Sequence, residues 1–512
     1  MWDKDDDDPL HDPDPVRDPL LDQECDPLSR RGWLNMTMVA VVCFGLIALF
    51  AGYPIITWYG RYRALTLNGY NLGGINGSGQ VPILPNLPSL IDKDTPTSVY
   101  TRVGTDGKTY NLVFSDEFNT DGRTFWPGED PYWEAVDLHY WATGDLEWYS
   151  PDAIETKGGN LVITMVEQFS HDLNFQSGML QSWNKMCFSS GYIEVNISLP
   201  GAHNTPGFWP GAWTMGNLGR AGYGATTDGM WPYSYDTCDL GTFPGQQNKN
   251  GTPTSEQTLG TSTGTFSLLP GQRVSACTCP GSDHPGPSVN RGRGVPEIDI
   301  IEAQIDPTVW QGGASQSFQV APFNALYQFD NSTTTMYNTS ASHYNTYKGG
   351  AYQQAISCVS DLPNTSYNGT GYSTYAFEFW GNRNDRDHSY ITWFVDGVKT
   401  WNAPAGSVPA DPISGVSNRL IPEEPMYIIL NLGMAPSFQR QDFAHLQFPA
   451  HMLIDYVRVY QRTGSENVGC NPSGYPTTDY INSHIGAYTD ANFTTWAEAS
   501  YEFPRNSVYD GC

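Results

Sequence analysis

From Thr109 onward, Gly, Asn and Pro cut the sequence into short β-prone runs, and that punctuation excludes a helical fold for this region. YNLVFSDEF (110–118), GNLVITMVEQF (159–169), GYIEVNISL (191–199), HSYITWFVDG (388–397), MYIILNLG (426–433) and MLIDYVRVY (452–460) alternate in polarity or carry a β-branched and aromatic centre. No amphipathic pattern longer than two or three helical turns interrupts them. Many strands without intervening helices predict an all-β fold, an antiparallel sandwich. Aromatic residues reach 13%, with 30 Tyr and 16 Trp, which suits sheets and carbohydrate-facing clefts. Lys plus Arg number 26 against 54 Asp plus Glu, a net charge of −28. Phosphate backbones would repel such a chain, so nucleic acid is excluded as a partner.

One segment departs from this pattern. Residues 34–58 contain no Asp, Glu, Lys or Arg, and their centre (38–56) is long enough to cross about 30 Å of hydrocarbon as a helix. The run exceeds a signal peptide's apolar core and follows 33 residues dominated by Asp, so it predicts a single transmembrane signal-anchor helix. Residues 1–33, with repeated Asp-Pro-Leu at Asp8, Asp18 and Asp26, read as a disordered acidic cytosolic tail. That tail is either simply solvated or a sorting or docking signal, and Cys25 beside the membrane is a candidate for palmitoylation.

Eight Asn-x-Ser/Thr sequons follow the span, at Asn76, Asn196, Asn250, Asn331, Asn338, Asn364, Asn368 and Asn492. Seven of the nine cysteines (Cys187, Cys238, Cys277, Cys279, Cys358, Cys470 and Cys512) also lie beyond it, and Cys43 lies within it. Both features place this side in a glycosylating, oxidising compartment, which makes a type II protein of the secretory pathway or cell surface. Seven is odd, so one of these thiols is free or pairs between chains. Residues 59–108, rich in Gly, Asn, Pro and Ser, read as a stem.

The stretch VPEIDIIEAQ (295–304) carries the chemistry. Glu297 and Asp299 share a face of a regular strand, whereas Glu302 falls on the opposite one. A β-bulge at Ile300 or Ile301 returns Glu302 to the same side. Glu297 and Glu302 are then about 13 Å apart along the backbone. Inclined side chains close that to roughly the 5 Å of a retaining glycosidase. Glu297 is the candidate nucleophile, Glu302 the acid/base, and Asp299 the residue that holds Glu297 and separates the two Glu pKa values.

The surrounding motifs, in order, are LVFSDEF (112–118), GNLVI (159–163), SGMLQSW (177–183), GYIEVNISLPG (191–201) and PGFWPGAWTMG (206–216). After the carboxylate strand come YAFEFW (375–380), ITWFVDG (391–397), PMYIILNLG (425–433) and IDYVRVYQR (454–462). Over residues 109–463 the chain resembles glycoside hydrolase family 16. The resemblance implies a concanavalin-like β-jelly-roll sandwich, a retaining mechanism and the same roles for Glu297, Asp299 and Glu302. Within that family it is similar to the fungal type II membrane proteins associated with β-1,6-glucan synthesis (the killer-toxin-resistance group), including the Cys-bearing extension 464–512. This implies a membrane-anchored β-glucan hydrolase or transglycosylase of cell-wall assembly. The alternative is a glucan-binding scaffold with little turnover.

Two departures stand out. An insert, about 217–294, either folds over one end of the cleft or binds a partner, and Pro296 precedes the nucleophile where Gly is commoner in the family. Residues 328–372, with four sequons, read as a glycosylated surface loop. Trp209 and Trp213 are candidate sugar-stacking platforms, and Glu147, Trp148, Trp183 and Trp393 are further cleft candidates. No His or Cys pattern supports a metal site, and no nucleotide or other cofactor motif is present.

Overall fold

The computed structural model describes residues 30–58, 89–260 and 264–512. Most of the acidic tail, Cys25, Asn76 and the stem up to residue 88 lie outside the described residues. The chain divides into two compact units, Met1–Arg63 and Ala64–Cys512. In the first, helix Trp33–Trp58 is apolar along its length, and none of the residues in its most apolar stretch is buried. Its 26 residues extend about 39 Å, enough to cross a membrane. The Thr37 and Thr57 hydroxyls donate back to the Trp33 and Tyr53 carbonyls, at 2.7 and 2.8 Å, so these polar groups need no outside partner.

The second unit is a two-sheet sandwich. Its long strands are β1 (Thr109–Asp116), β2 (Asn160–Ser170), β3 (Gly191–Ser198), β4 (Trp209–Gly216), β5 (Glu297–Asp306) and β6 (Gln311–Val320). They continue with β7 (Gln354–Asp361), β8 (Ser373–Trp380), β9 (Tyr390–Val395), β10 (Val398–Pro404), β11 (Met426–Gly433) and β12 (Ala450–Arg462). One sheet runs β10-β9-β8-β3-β12-β2, with β1 paired to the second half of β12. The other runs β7-β6-β5-β4-β11 and is extended by Met179–Gln181 and Glu134–Ala135. All these pairings are antiparallel, as the strand pattern predicts. Alternation supplies the core between the sheets: Ile193, Val195, Phe377, Phe379, Val457 and Val459 pack with Ile298, Ile300, Ile428 and Leu430 in one buried cluster.

Two boundaries differ from the sequence reading. Thr101–Val103, inside the range read as stem, pairs with the start of β1. The supposed surface loop 328–372 contains β7, paired along its whole length to β6, and only its last residue is exposed. Its Ser and Gln content disguised a buried strand. Inside the fold the small hydroxyls satisfy one another, as in Ser315–Ser357 (3.2 Å) and Ser342–Ser360 (2.7 Å).

The β4-β5-β11 sheet is covered on both faces. On the face away from the sandwich core, Trp213, Met215, Tyr427 and Ile429 pack against insert residues Leu218, Tyr223, Met230 and Val274. Tyr480, Ile481, Tyr488 and Trp496 of the C-terminal extension join the same cluster. Insert and extension therefore form one second core. Disulfides Cys187–Cys470, Cys238–Cys277 and Cys279–Cys512 tie it to itself and to the sandwich. The odd thiol beyond the span is Cys358, buried on β7 and unpaired.

Candidate active site

β5 carries the expected bulge. Against β4, Glu297 pairs with Met215, Ile298 with Thr214 and Asp299 with Trp213; Ile301 then pairs with Ala212 and Glu302 with Gly211, which leaves Ile300 as the extra residue. The offset recurs against β6, where Ile298 faces Phe318 and Glu302 faces Ser315. Bulging frees backbone carbonyls from the ladder, and side chains from the core take them up. Trp393 Nε1 donates to the Asp299 carbonyl at 2.8 Å, and Gln316 Nε2 to the Ile300 carbonyl at 3.1 Å. Glu297, Asp299 and Glu302 therefore share one face, while Ile298, Ile300 and Ile301 are wholly buried. Pro296 is accommodated by Gly216: a Cβ there would stand 2.8 Å from the Pro296 ring.

Each Glu is held by an indole. Trp231 Nε1 donates to Glu297 Oε2 at 2.7 Å, and Trp209 Nε1 donates to Glu302 Oε1 at 3.0 Å. Asp299 hydrogen-bonds Glu297 and accepts from Gln319 Nε2 at 3.1 Å. Burial raises all three carboxyls. Glu297, buried and next to the charge of Glu302, is pushed up to about 8, and Glu302, raised above all by burial, also to about 8. Asp299 rises well above the usual range through burial and then the Glu297 charge. The expected separation of the two Glu is thus not present. The residue set apart is Asp299, which holds its proton and lowers Glu297 by donating to it.

The aromatic candidates divide. Trp209 is half-buried and stacks on Phe438 with centroids 4.2 Å apart, beside Glu302. Trp213 shares its face of β4 but is enclosed, donating to Asn431 Oδ1 at 2.9 Å. Trp183 and Trp393 are corrected from cleft to core. Trp183 stacks on Tyr488 and donates to the Asn217 carbonyl; Trp393 is fully buried against Trp401, 4.4 Å away. Trp148 stacks on His171 at 3.8 Å. Glu147 is also corrected. It has no exposed surface, accepts from the Met434 amide at 3.1 Å, and is held neutral by burial and the neighbouring Asp145 charge.

Sequence reasoning missed Trp231, Tyr140 and Gln316. Trp231 comes from the insert and has no spacing relation to β5, so only the folded chain brings it to Glu297. Tyr140, on a loop, is raised by burial and then by the charge of Glu297, with smaller contributions from Asp145, Asp299 and Glu302, so it lies within electrostatic reach of the carboxylates. The insert thus covers the Glu297 end of the carboxylate face, one of the two alternatives the sequence left open. Among the described residues, no group of three or more His, Cys, Asp or Glu side chains is arranged for a metal. Asn250, Asn331, Asn364, Asn368 and Asn492 are exposed and Asn338 is half-buried. Asn196 sits inside β3 with its Nδ2 donating to Asp455 at 2.9 Å.

The raised carboxyls have a consequence for stability. Glu297 and Glu302 bind protons in the folded state up to about pH 8 but lose them near the ordinary glutamic acid value of 4.5 when unfolded. Between those values the folded state holds more protons, so stability falls as pH rises from 5 to 8. Urea unfolding of the full chain in detergent should show this decline, and Glu302→Gln should flatten it. An equal slope in the variant would mean that Glu302 is not desolvated.

A family model described as "Beta-glucan synthesis-associated protein SKN1/KRE6/Sbg1" matches residues 1–512. The chain is 43% identical over 529 residues to Beta-glucan synthesis-associated protein SKN1 of Saccharomyces cerevisiae, covering 99% of this chain and 66% of that protein. It is 43% identical over 526 residues to KRE6 of the same yeast, covering 99% and 69%. The chain therefore spans about two thirds of the length of these relatives. Among solved structures, SCLam, a non-specific endo-beta-1,3(4)-glucanase from family GH16, is 19% identical with a TM-score of 0.39, covering 70% of this chain and 93% of that one.

Proposed function

The chain belongs to the SKN1/KRE6/Sbg1 family of beta-glucan synthesis-associated proteins, and from that membership and the site we propose that it remodels cell-wall β-glucan by retaining glycosyl transfer. The observation that carries this reading is the bulge at Ile300, which puts three carboxyls on one face with an indole donor on each Glu. Glu297 attacks the anomeric carbon while Glu302 protonates the departing glycosidic oxygen, leaving a glycosyl ester on Glu297. Glu302, now a carboxylate, deprotonates the acceptor, whose oxygen attacks the same carbon and releases Glu297. Water as acceptor gives hydrolysis; a sugar hydroxyl gives transglycosylation. Neutral Asp299 donates to Glu297, and Trp231 adds a second donor, so both favour the carboxylate form of the nucleophile.

The sandwich faces the lumen or cell exterior in this reading, anchored by Trp33–Trp58 in a type II orientation. Support comes from three disulfides and the exposed sequons, all on one side of the span. The acidic tail would then meet sorting or docking partners in the cytosol.

The test is to incubate the detergent-solubilised chain with defined β-1,3- and β-1,6-gluco-oligosaccharides and follow product length by mass spectrometry. Shorter products mean hydrolysis and longer ones transfer. Oligosaccharides that bind unchanged would sink turnover and favour a second reading, a glucan-holding scaffold. A specific observation favours that reading: with Glu297 raised to about 8, much of the nucleophile is protonated at neutral pH.

Trp231→Phe keeps an aromatic ring and removes one hydrogen bond to a charged group, a contact of about 1.5–3 kcal/mol. kcat should fall about 10–100-fold. The acid limb of the pH–rate profile should also move upward, because a donor that lowers Glu297 is lost. An unmoved acid limb would mean that Trp231 does not act through Glu297.

A further inference from the structure

Beyond β7 the sheet gains one more strand, Ser342–Tyr344, paired antiparallel to Cys358–Ser360. Three strand spacings, about 14 Å, separate it from β5. Residues 345–353 turn from this edge back into β7, and the Ala355 amide closes the turn by donating to the Lys348 carbonyl at 3.0 Å. A run of small polar groups ties the turn to the carboxylate face. Ser317 Oγ lies 3.5 Å from Glu302 Oε2 and 3.3 Å from Ser357 Oγ, and Ser357 Oγ accepts from Asn345 Nδ2 at 3.3 Å. The Asn345 amide donates to the Ser357 carbonyl at 3.0 Å, and Asn345 Oδ1 accepts from the Tyr347 amide, also at 3.0 Å. Tyr347 is thereby anchored on the Glu302 side of the face.

The Tyr347 ring stays open to solvent. The residue is 53% exposed, and its hydroxyl is held by Gln353 Nε2 at 3.0 Å. Partial burial raises that hydroxyl and the charge of Glu302 raises it further, so the two groups lie within electrostatic reach of each other. Glu302 is itself only half-buried. Over β4 and β11 the same face is closed by the second core, which packs on Trp213, Met215, Tyr427 and Ile429. The sugar whose oxygen meets Glu302 has to lie beside that carboxyl, and the second core leaves it the β6–β7 side. A β-glucopyranosyl ring carries C–H bonds on its faces and hydroxyls around its rim, a form that packs on a tyrosine ring.

We infer that Tyr347 is the stacking platform for the acceptor sugar, a β-linked gluco-oligosaccharide that lies over β6 and β7 with one hydroxyl at Glu302. This deepens the retaining-transfer reading of the site and rests on it. In the transfer step that hydroxyl gives its proton to Glu302 and its oxygen bonds to the anomeric carbon. The bond from that carbon to Glu297 breaks, and Glu297 leaves as a carboxylate. Tyr347 touches none of the reacting atoms. By holding a sugar where water would otherwise attack, it sets the partition between transfer and hydrolysis.

The test uses the full chain in detergent with a labelled β-1,3-gluco-oligosaccharide as donor and rising concentrations of unlabelled β-1,3- or β-1,6-gluco-oligosaccharide as acceptor. Labelled products are followed by mass spectrometry for the wild type, Tyr347→Ala, Tyr347→Phe and Tyr352→Ala. Tyr352, 60% exposed on the same turn, is the control for a general effect of losing a surface tyrosine. In Tyr347→Ala the acceptor concentration for half-maximal transfer should rise about 2–10-fold, the worth of one aromatic contact, and products should shift toward hydrolysis. Tyr347→Phe keeps the ring and should stay close to the wild type. An unchanged acceptor dependence in Tyr347→Ala, or an equal rise in Tyr352→Ala, overturns the inference. Calorimetric titration of the same acceptors into the Glu297→Gln chain, with and without Tyr347→Ala, needs no turnover. If the wild type proves inactive, the retaining-transfer reading falls and this titration decides alone. A loss of about 2–10-fold in affinity keeps Tyr347 as the sugar platform, and equal affinity overturns it.

Discussion

Glu297→Gln is expected to abolish oligosaccharide turnover while leaving glucan binding in place. The amide preserves the size of the side chain and can still meet Trp231 through its oxygen, but it has no charge with which to attack carbon. Loss of a covalent nucleophile costs on the order of 10³-fold or more in kcat. The position also predicts a gain. Glu297 is half-buried beside Asp299 and the charge of Glu302, so removing its charge relieves repulsion, and the variant should unfold at higher urea than the wild type at pH 8. At pH 5, where the carboxyl is already neutral in the folded state, that difference should shrink. Product analysis alongside the two unfolding curves separates the possibilities. Equal turnover in the variant would remove Glu297 from the chemistry, and a loss of activity accompanied by unfolding would show only that the residue is structural.

Trp393→Ala should cost the fold about 3–5 kcal/mol, the range for emptying a buried aromatic site. The indole is fully buried, stacks on Trp401 with rings 2° from parallel, and supplies the donor for the Asp299 carbonyl at the bulge. Its removal leaves a void behind β5 and a buried carbonyl without its partner, so the alignment of the three carboxyls should loosen as well. Trp393→Phe refills most of the volume but restores no donor, and should recover stability more than activity. Trp209→Ala provides the contrast. That ring is half-buried over Glu302, so the expected loss falls on glucan affinity and on the acid/base more than on the urea midpoint. A Trp393→Ala chain as stable as the wild type, with only weakened glucan binding, would return Trp393 to the cleft and undo its place behind the bulge.

These two tryptophans show why the sequence separates roles poorly. Trp209 and Trp393 both lie in β-prone runs, and period-two alternation says which residues share a face without saying which sheet face meets solvent. In this protein the question is harder still, because the insert and the C-terminal extension convert one end of an otherwise open face into a second core. Trp183 was drawn into a buried position by that arrangement, stacked on Tyr488 of the extension.

The sequence by itself determined the strands and their alternation, the apolar helix, and the collinear trio on β5 with a bulge at one of two isoleucines. All are local properties, read from neighbours within about ten residues. Tertiary structure decided what depends on distant parts of the chain. It selected Ile300 through the register with β4, brought Trp231 from the insert to Glu297, and paired Cys279 with Cys512. It also enclosed both Glu carboxyls closely enough to raise them together, because desolvation is a property of everything packed around a group and not of the residues beside it in the chain.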